Sequence, residues 1–218
     1  MTGCDKKDQQ GIIPRSVMNI LNHVRVMKSM GWAEIAVTVS IVELYNEELH
    51  DLLEDCSSGR DRSSSASHTA NLTKKFKINN SNNCVSVSGL TEVTIDTSDS
   101  DVGMSQFADL LSQSAAARTT ASTGMNEVSS RSHLIVMIEI QGRHSDGVTV
   151  MQGGLRLCDL AGSERLDRTG NLNDATRLKE SVNINKSLSC LSDVFLALHS
   201  KAPHVPYRNS KLTMLLQV

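Results

Sequence analysis

The chain has 218 residues, 39% of them hydrophobic and 21% charged, the balance of a soluble globular protein rather than a disordered one. Lys and Arg total 22 and Asp and Glu total 24, a net charge of −2, which argues against a strongly basic nucleic-acid binder. The six aromatics are scattered and offer no base-stacking platform. Five cysteines, odd in number and without a C-x-x-C pair, indicate neither a disulfide framework nor a zinc knuckle, and they fit a reducing compartment. The polar start MTGCDKKDQQ has no apolar signal region, and no apolar run approaches the roughly 18 residues of a membrane span. The expectation is a cytosolic or nuclear protein without a membrane partner.

In chain order, Gly11-Ile12-Ile13-Pro14 opens a helix that runs to about Met30, with Val17, Ile20, Leu21 and Val24 at helical spacing and Gly31 as its stop. Ile35, Val37, Val39 and Ile41 alternate as one face of a strand. Glu34, Ala36, Thr38, Ser40 and Val42 form its other face. The following ELYNEELHDLL ends in what reads as a short helical turn. Residues 56–71, with six serines and no large apolar side chain, read as a flexible surface loop. Lys75 to Leu90 reads as a weak hairpin turning near Asn79–Asn83. Ser105 to Ser114 is a helix with Phe107, Leu110 and Leu111 on one face. Leu134 to Ile140 is almost wholly apolar, as a strand buried on both faces must be. Gly153-Gly154 precedes a further apolar strand, LRLCDL. Leu178 to His199 is a long helix whose Ile184, Leu188, Leu191, Phe195 and Leu198 form one apolar stripe. Asn209 or Ser210 can cap a last helix from Lys211. There is no internal repeat, and strands mixed with helices predict a layered α/β domain.

Two short segments carry chemistry. Asp159 closes an apolar strand and is followed by Leu160-Ala161-Gly162-Ser163-Glu164. A carboxylate there lies at the ligand rim of an open α/β sheet, although an Asp turn after a strand is also common. Asn126-Glu127-Val128-Ser129-Ser130-Arg131-Ser132-His133 precedes the buried strand. Its hydroxyls can coordinate magnesium and phosphate oxygens and its Arg can pair with a carboxylate, or the serines can satisfy backbone groups of a loop. Residues 165–218 carry 8 basic and 4 acidic side chains, against 14 and 20 in residues 1–164. This basic quarter either faces an acidic partner or is a set of solvated helix charges.

Taken together these segments resemble the kinesin motor family. NEVSSRSH matches its first switch, N-x-x-S-S-R-S-H, and LCDLAGSE resembles its second, L-V-D-L-A-G-S-E. LKESVNINKSLSCLSDVFLALHS resembles the relay helix and HVPYRNSKLTMLLQ the loop and helix after it. GIIPRSVMNIL, VSIVELYNEELHDLL, VSGLTEV and ARTTASTGMNEVSSRSH stand upstream in family order. The resemblance covers essentially all 218 residues outside the Ser-rich segment, and SLSCLSDV and PYRNSKLT lean toward the C-terminal-motor subfamily. It implies a P-loop NTPase motor domain, a central mixed sheet with helices on both faces, with ATP and magnesium as cofactors and the microtubule as partner in the cytoplasm. In that resemblance Asn126, Ser129 and Ser130 contact the phosphates and magnesium, and Asp159 is a magnesium group behind a water. Gly162 senses the γ-phosphate, and Arg131 pairs with Glu164. Arg165, Lys179, Lys186, His204, Arg208 and Lys211 fall in segments that face the microtubule.

The sequence also departs from the family. None of the 13 glycines is followed by Lys, so the phosphate loop G-x-x-x-x-G-K-[ST] does not occur in these residues. Cys158 stands for a usual Val and Ser192 for a usual Gly. The expectation is a partial motor domain over residues 1–218, without the phosphate-loop strands and the last strand, and with any dimerisation segment outside the chain. It is either a piece of an active microtubule motor or a non-enzymatic microtubule- or partner-binding module derived from one. A generic Ser-rich signalling domain accounts for one segment only.

Overall fold

The computed structural model of this chain describes residues 11–54, 76–81, 84–120, 130–163 and 175–217. Helix α1 (Ile12–Ser29) has Pro14 in its first turn, where the missing N–H would be unpaired anyway. Its Ile13, Val17, Leu21 and Val24 are all buried. Gly31 takes φ +95° as the chain leaves the helix, and a Cβ there would meet His144 Nε2 at 2.9 Å. Left-handed backbone and close approach both demand glycine.

Strand β1 (Trp32–Tyr45) forms the middle of the sheet. It pairs with β2 (Glu48–Asp51), with β5 (Val93–Ile95) and with β6 (His133–His144), and β6 pairs with β7 (Val150–Asp159). The order is β2-β1-β6-β7, with β5 on β1, and every pairing among the described residues is antiparallel. Helices cover both faces. Ile35, Val37, Val39 and Ile41 of β1, with Val136, Ile138 and Leu157, pack under α1 and under Phe107 and Leu110 of α2 (Ser100–Thr120). Val42, Leu44, Ile135 and Met137 pack under Leu191 of α3 (Ala175–His199) and Leu212 and Leu215 of α4 (Lys211–Leu215). Ser210 caps α4, its Oγ accepting from the Thr213 N–H at 3.2 Å. Strands β3 (Lys77–Ser81) and β4 (Cys84–Ser88) form a separate hairpin, in which Asn79, Asn80 and Ser81 of the expected turn are still paired in β3. The Ser-rich segment 56–71 lies outside the described residues.

Four expectations change. The far face of β1 is buried in part: Val42 packs in the cluster under α3 and α4, and Ser40 is buried with its hydroxyl donating to the Thr91 carbonyl at 2.9 Å. The end of ELYNEELHDLL folds back as β2, turning at Asn46 and Glu47 with φ of 51° and 63°, the positive pair of a tight hairpin. Gly153 and Gly154 lie inside β7 rather than before it. The apolar stripe of α3 coincides with its buried face only in part: Ile184 is buried and Leu191 packs on the sheet, but Phe195 is 63% and Leu198 48% exposed, while Glu180, Ser187, Cys190 and Val194 are buried instead. Polar partners on the sheet rim turn the helix. Among the described residues no helix is long and apolar enough to cross a membrane.

Candidate functional site

Antiparallel pairing brings the end of β1, the start of β6 and the end of β7 to one rim. Leu134 stands opposite both Glu43 and Asp159. Asp159 therefore closes its strand beside the segment that opens β6. Beyond the strands, the Gly162 N–H donates to the Ser130 carbonyl at 3.2 Å. The two segments singled out in the sequence thus meet through backbone, and Ser130, Arg131, Asp159 and Gly162 lie at one rim. Asn126, Ser129, Glu164 and Arg165 lie outside the described residues.

Among the described residues Arg131 pairs with Glu180 of α3, Nη1 to Oε2 at 3.1 Å. Glu180 also accepts a short hydrogen bond from the Tyr45 hydroxyl. Burial, followed by the hydrogen bond and charge of Glu180, pushes the Tyr45 phenol up to about 12. Asn183, one turn along, bonds to Asn46 of the β1–β2 turn. The first half of α3 thus docks on the rim by polar contacts and the second half by apolar ones.

Sequence reasoning gave no role to two further clusters. Glu43 is 3% exposed and accepts from Arg118 Nε of α2 at 3.0 Å and from the Ser132 hydroxyl at 2.5 Å. Arg118 Nη2 donates to the Ser132 carbonyl and hydroxyl, both at 2.9 Å. This buried, multiply bonded pair fixes the end of α2 beside Arg131. The signal in the sequence was a lone carboxylate inside the apolar run SIVELY, which demands a partner. His133 is the second centre: it receives the Ala161 N–H on Nδ1 at 3.0 Å, and its Nε2 lies 2.9 Å from Ser187 Oγ of α3. Burial, then the nearby Arg118 charge, holds its pKa down at about 4, so the ring is neutral near pH 7.

The basic residues lie on a different layer. Lys179 and Lys186 are exposed on α3, and His204 and Arg208 are exposed in the segment leading to α4. Lys211 begins α4, where its backbone N–H donates to Glu47 Oε2 at 3.0 Å. All five are on the face of the sheet opposite α1 and α2.

The rim suits a hard cation that keeps its waters. Hydroxyl and carboxylate oxygens from Ser130 and Asp159 are ligands of the kind magnesium takes in small number. No group of three or more His, Cys, Asp or Glu that would cage a metal occurs among the described residues.

Residues 1–218 match the model of the kinesin motor domain. Kinesin-like protein KIN-14D of Arabidopsis thaliana is 41% identical over 210 residues, 96% of this chain and 25% of that protein. Protein claret segregational of Drosophila melanogaster is 37% identical over 209 residues, 94% of this chain and 26% of that protein. This chain therefore spans about a quarter of the length of these curated relatives. Among solved structures it resembles the C-terminal motor and motor homology domain of Kar3Vik1, with TM-score 0.72 and 36% identity over 95% of this chain and 48% of that one. It also resembles a fast kinesin, with TM-score 0.74 and 35% identity over 99% of this chain and 55% of that one.

Proposed function

This chain belongs to the kinesin motor-domain family, with relatives in its C-terminal-motor branch, and from that premise we propose that it serves ATP-dependent movement on microtubules. The observation that carries the reading is the contact between Gly162 N–H and the Ser130 carbonyl. It brings together, at one sheet rim, the two segments whose residue types suit magnesium and phosphate. In this reading Ser130, with Ser129 and Asn126, would hold magnesium and the phosphate oxygens, and Asp159 would act on the metal through water. The Gly162 amide, now bonded to the Ser130 carbonyl, would be a donor for the terminal phosphate. Arg131 exchanges its partner Glu180 for Glu164 as the two segments close. Such catalysis is positioning and electrostatics, with bound magnesium supplying neutralisation of phosphate charge. Arg165, Lys179, Lys186, His204, Arg208 and Lys211 meet the acidic microtubule surface. The partial-domain reading, with the phosphate loop supplied from outside these residues, belongs to the same proposal.

The absence of any Gly-Lys step favours a second reading, a microtubule-binding module without ATPase activity. Backbone amides and a Lys in such a loop carry much of the grip on phosphates, each charge-assisted bond contributing about 1.5–3 kcal/mol. Phosphate release and co-pelleting separate the two. We expect the 218-residue chain to bind microtubules without stimulated phosphate release. Binding should weaken as salt rises past about 0.1 M, where the Debye length is about 10 Å. It should also weaken several-fold in Arg208→Ala and Lys211→Ala. Stimulated release would establish that the chain is a complete catalyst. Binding indifferent to salt and to both substitutions would refute the assigned surface.

A further inference from the structure

His133 touches two elements at once, and the direction of each hydrogen bond around it is determined. The Ala161 backbone N–H can only donate, so Nδ1, 3.0 Å away, accepts. On the other side of the ring, the Ser187 hydroxyl donates to the Ile184 carbonyl at 2.7 Å within α3. Its proton is committed, so Ser187 Oγ accepts from the ring, and Nε2 carries the hydrogen. Four groups then form one directed chain: Ala161 N–H to Nδ1, Nε2–H to Ser187, and Ser187 O–H to the Ile184 carbonyl. All four residues are buried, with His133 and Ser187 at 2% exposure. The next residue, Gly162, donates to Ser130. The other polar links of α3 to the rim, from Glu180 and Asn183, reach Tyr45, Arg131 and Asn46 instead.

We propose that His133, locked as the neutral Nε2–H tautomer by Ser187, is the positioning residue through which α3 sets the place of the Ala161–Gly162 backbone. The alternative Nδ1–H tautomer puts donor against donor at Ala161. The link therefore holds in one tautomer and breaks in the other, so its integrity depends on what Ser187 offers the ring. The consequence rests on the proposed function: Lys179 and Lys186 ride on the same helix, so a partner that shifts α3 changes what Ser187 offers the ring. Gly162 moves with its neighbour.

The test needs neither nucleotide nor microtubules, only the isotope-labelled 218-residue chain in solution. Imidazole nitrogen chemical shifts of His133 should report the Nε2–H tautomer, and a dominant Nδ1–H form overturns the proposal. In Ser187→Ala, amide hydrogen exchange at Ala161 should rise about tenfold, equivalent to about 1.4 kcal/mol. Exchange at Leu157, on the preceding strand, should keep its rate. An unchanged Ala161 rate, or equal acceleration at both amides, overturns it. His133→Asn keeps an acceptor near the Nδ1 position but loses the reach to α3. In that background the Ala161 amide should stay protected and become indifferent to Ser187→Ala; a persisting effect of Ser187→Ala overturns the proposal. Failure of microtubule binding would sink the motor reading and leave these results standing.

Discussion

Glu43 lies inside the most deeply buried stretch of β1, between Val42 and Leu44. A carboxylate survives there because Arg118 and Ser132 saturate one of its oxygens from two directions. His133 survives burial by the opposite route, staying neutral. Its pKa of about 4 in the fold lies below the ordinary value of 6.5. Between those values the unfolded chain takes up a proton that the folded chain refuses, so stability falls as pH falls through that window. Above pH 6.5 this group contributes no pH dependence. The melting temperature should therefore drop between pH 6.5 and 4 more steeply in the native chain than in His133→Asn. Equal slopes would show that the imidazole is charged in the fold. The partners of these residues were illegible in the sequence because they are remote. Arg118 is 75 positions from Glu43, and Ser187 is 54 from His133. By contrast, Asp159, Gly162, Ser130 and Arg131 stood out, because their own segments held residue types that make poor core.

Elements were legible where one apolar periodicity dominated. α1, β6 and the face of α2 that bears Phe107 and Leu110 follow their patterns. α3 does not, because hydrophobicity alone rotated it toward Phe195 and Leu198. Its actual rotation is set by Glu180, Asn183 and Ser187 reaching the rim. The β1–β2 turn was missed for a related reason. Asn46 and Glu47 adopt positive φ without glycine, and Glu47 gains compensation by accepting the Lys211 N–H at the start of α4. The approach of α2 to the end of β5 gives an element-scale prediction. A Cβ on Gly103 would lie 2.4 Å from the Asp96 carbonyl oxygen and 3.1 Å from Leu21 Cδ1. Gly103→Ala gains about 1 kcal/mol of helix propensity. Overpacking against backbone costs about 1–3 kcal/mol. The backbone atom cannot swing aside, so the net should be a loss of up to about 2 kcal/mol. For a chain of this size that lowers the melting temperature by several degrees. A raised melting temperature would mean that α2 slides away from β5 at little cost.

At the scale of the whole molecule, the layered α/β class followed from the alternation of patterns along the chain, and the helices on both faces from the family resemblance. The order of strands did not, since antiparallel neighbours such as β1 and β6 are about a hundred residues apart. That order leaves β7 bonded to β6 along one side only among the described residues. Among the described residues no strand pairs with its other side, which lies between the apolar Leu155 and Leu157 on one face and Cys158 on the other. Val148, Val150 and Leu160, at 84%, 68% and 41% exposure, extend the apolar character at both ends of the strand. Proteins usually blunt such an edge with a charge, a bulge or a cover, because it templates pairing with another chain. Here Arg156 cannot serve as that charge: its guanidinium turns inward to Glu139 and the Val85 carbonyl, both within 2.9 Å. The 218-residue chain should therefore self-associate through β7 when expressed alone. Gly153 offers a direct way to test this, since a Cβ there meets nothing within 4 Å. Gly153→Lys adds an edge charge without touching the core. Sedimentation or size-exclusion chromatography should show oligomers for the native chain and a larger monomer fraction for Gly153→Lys, with the thermal melt preserved. A native chain that is already a monodisperse monomer with a sharp transition would show that β7 is covered, and that the sheet closes by some other contact.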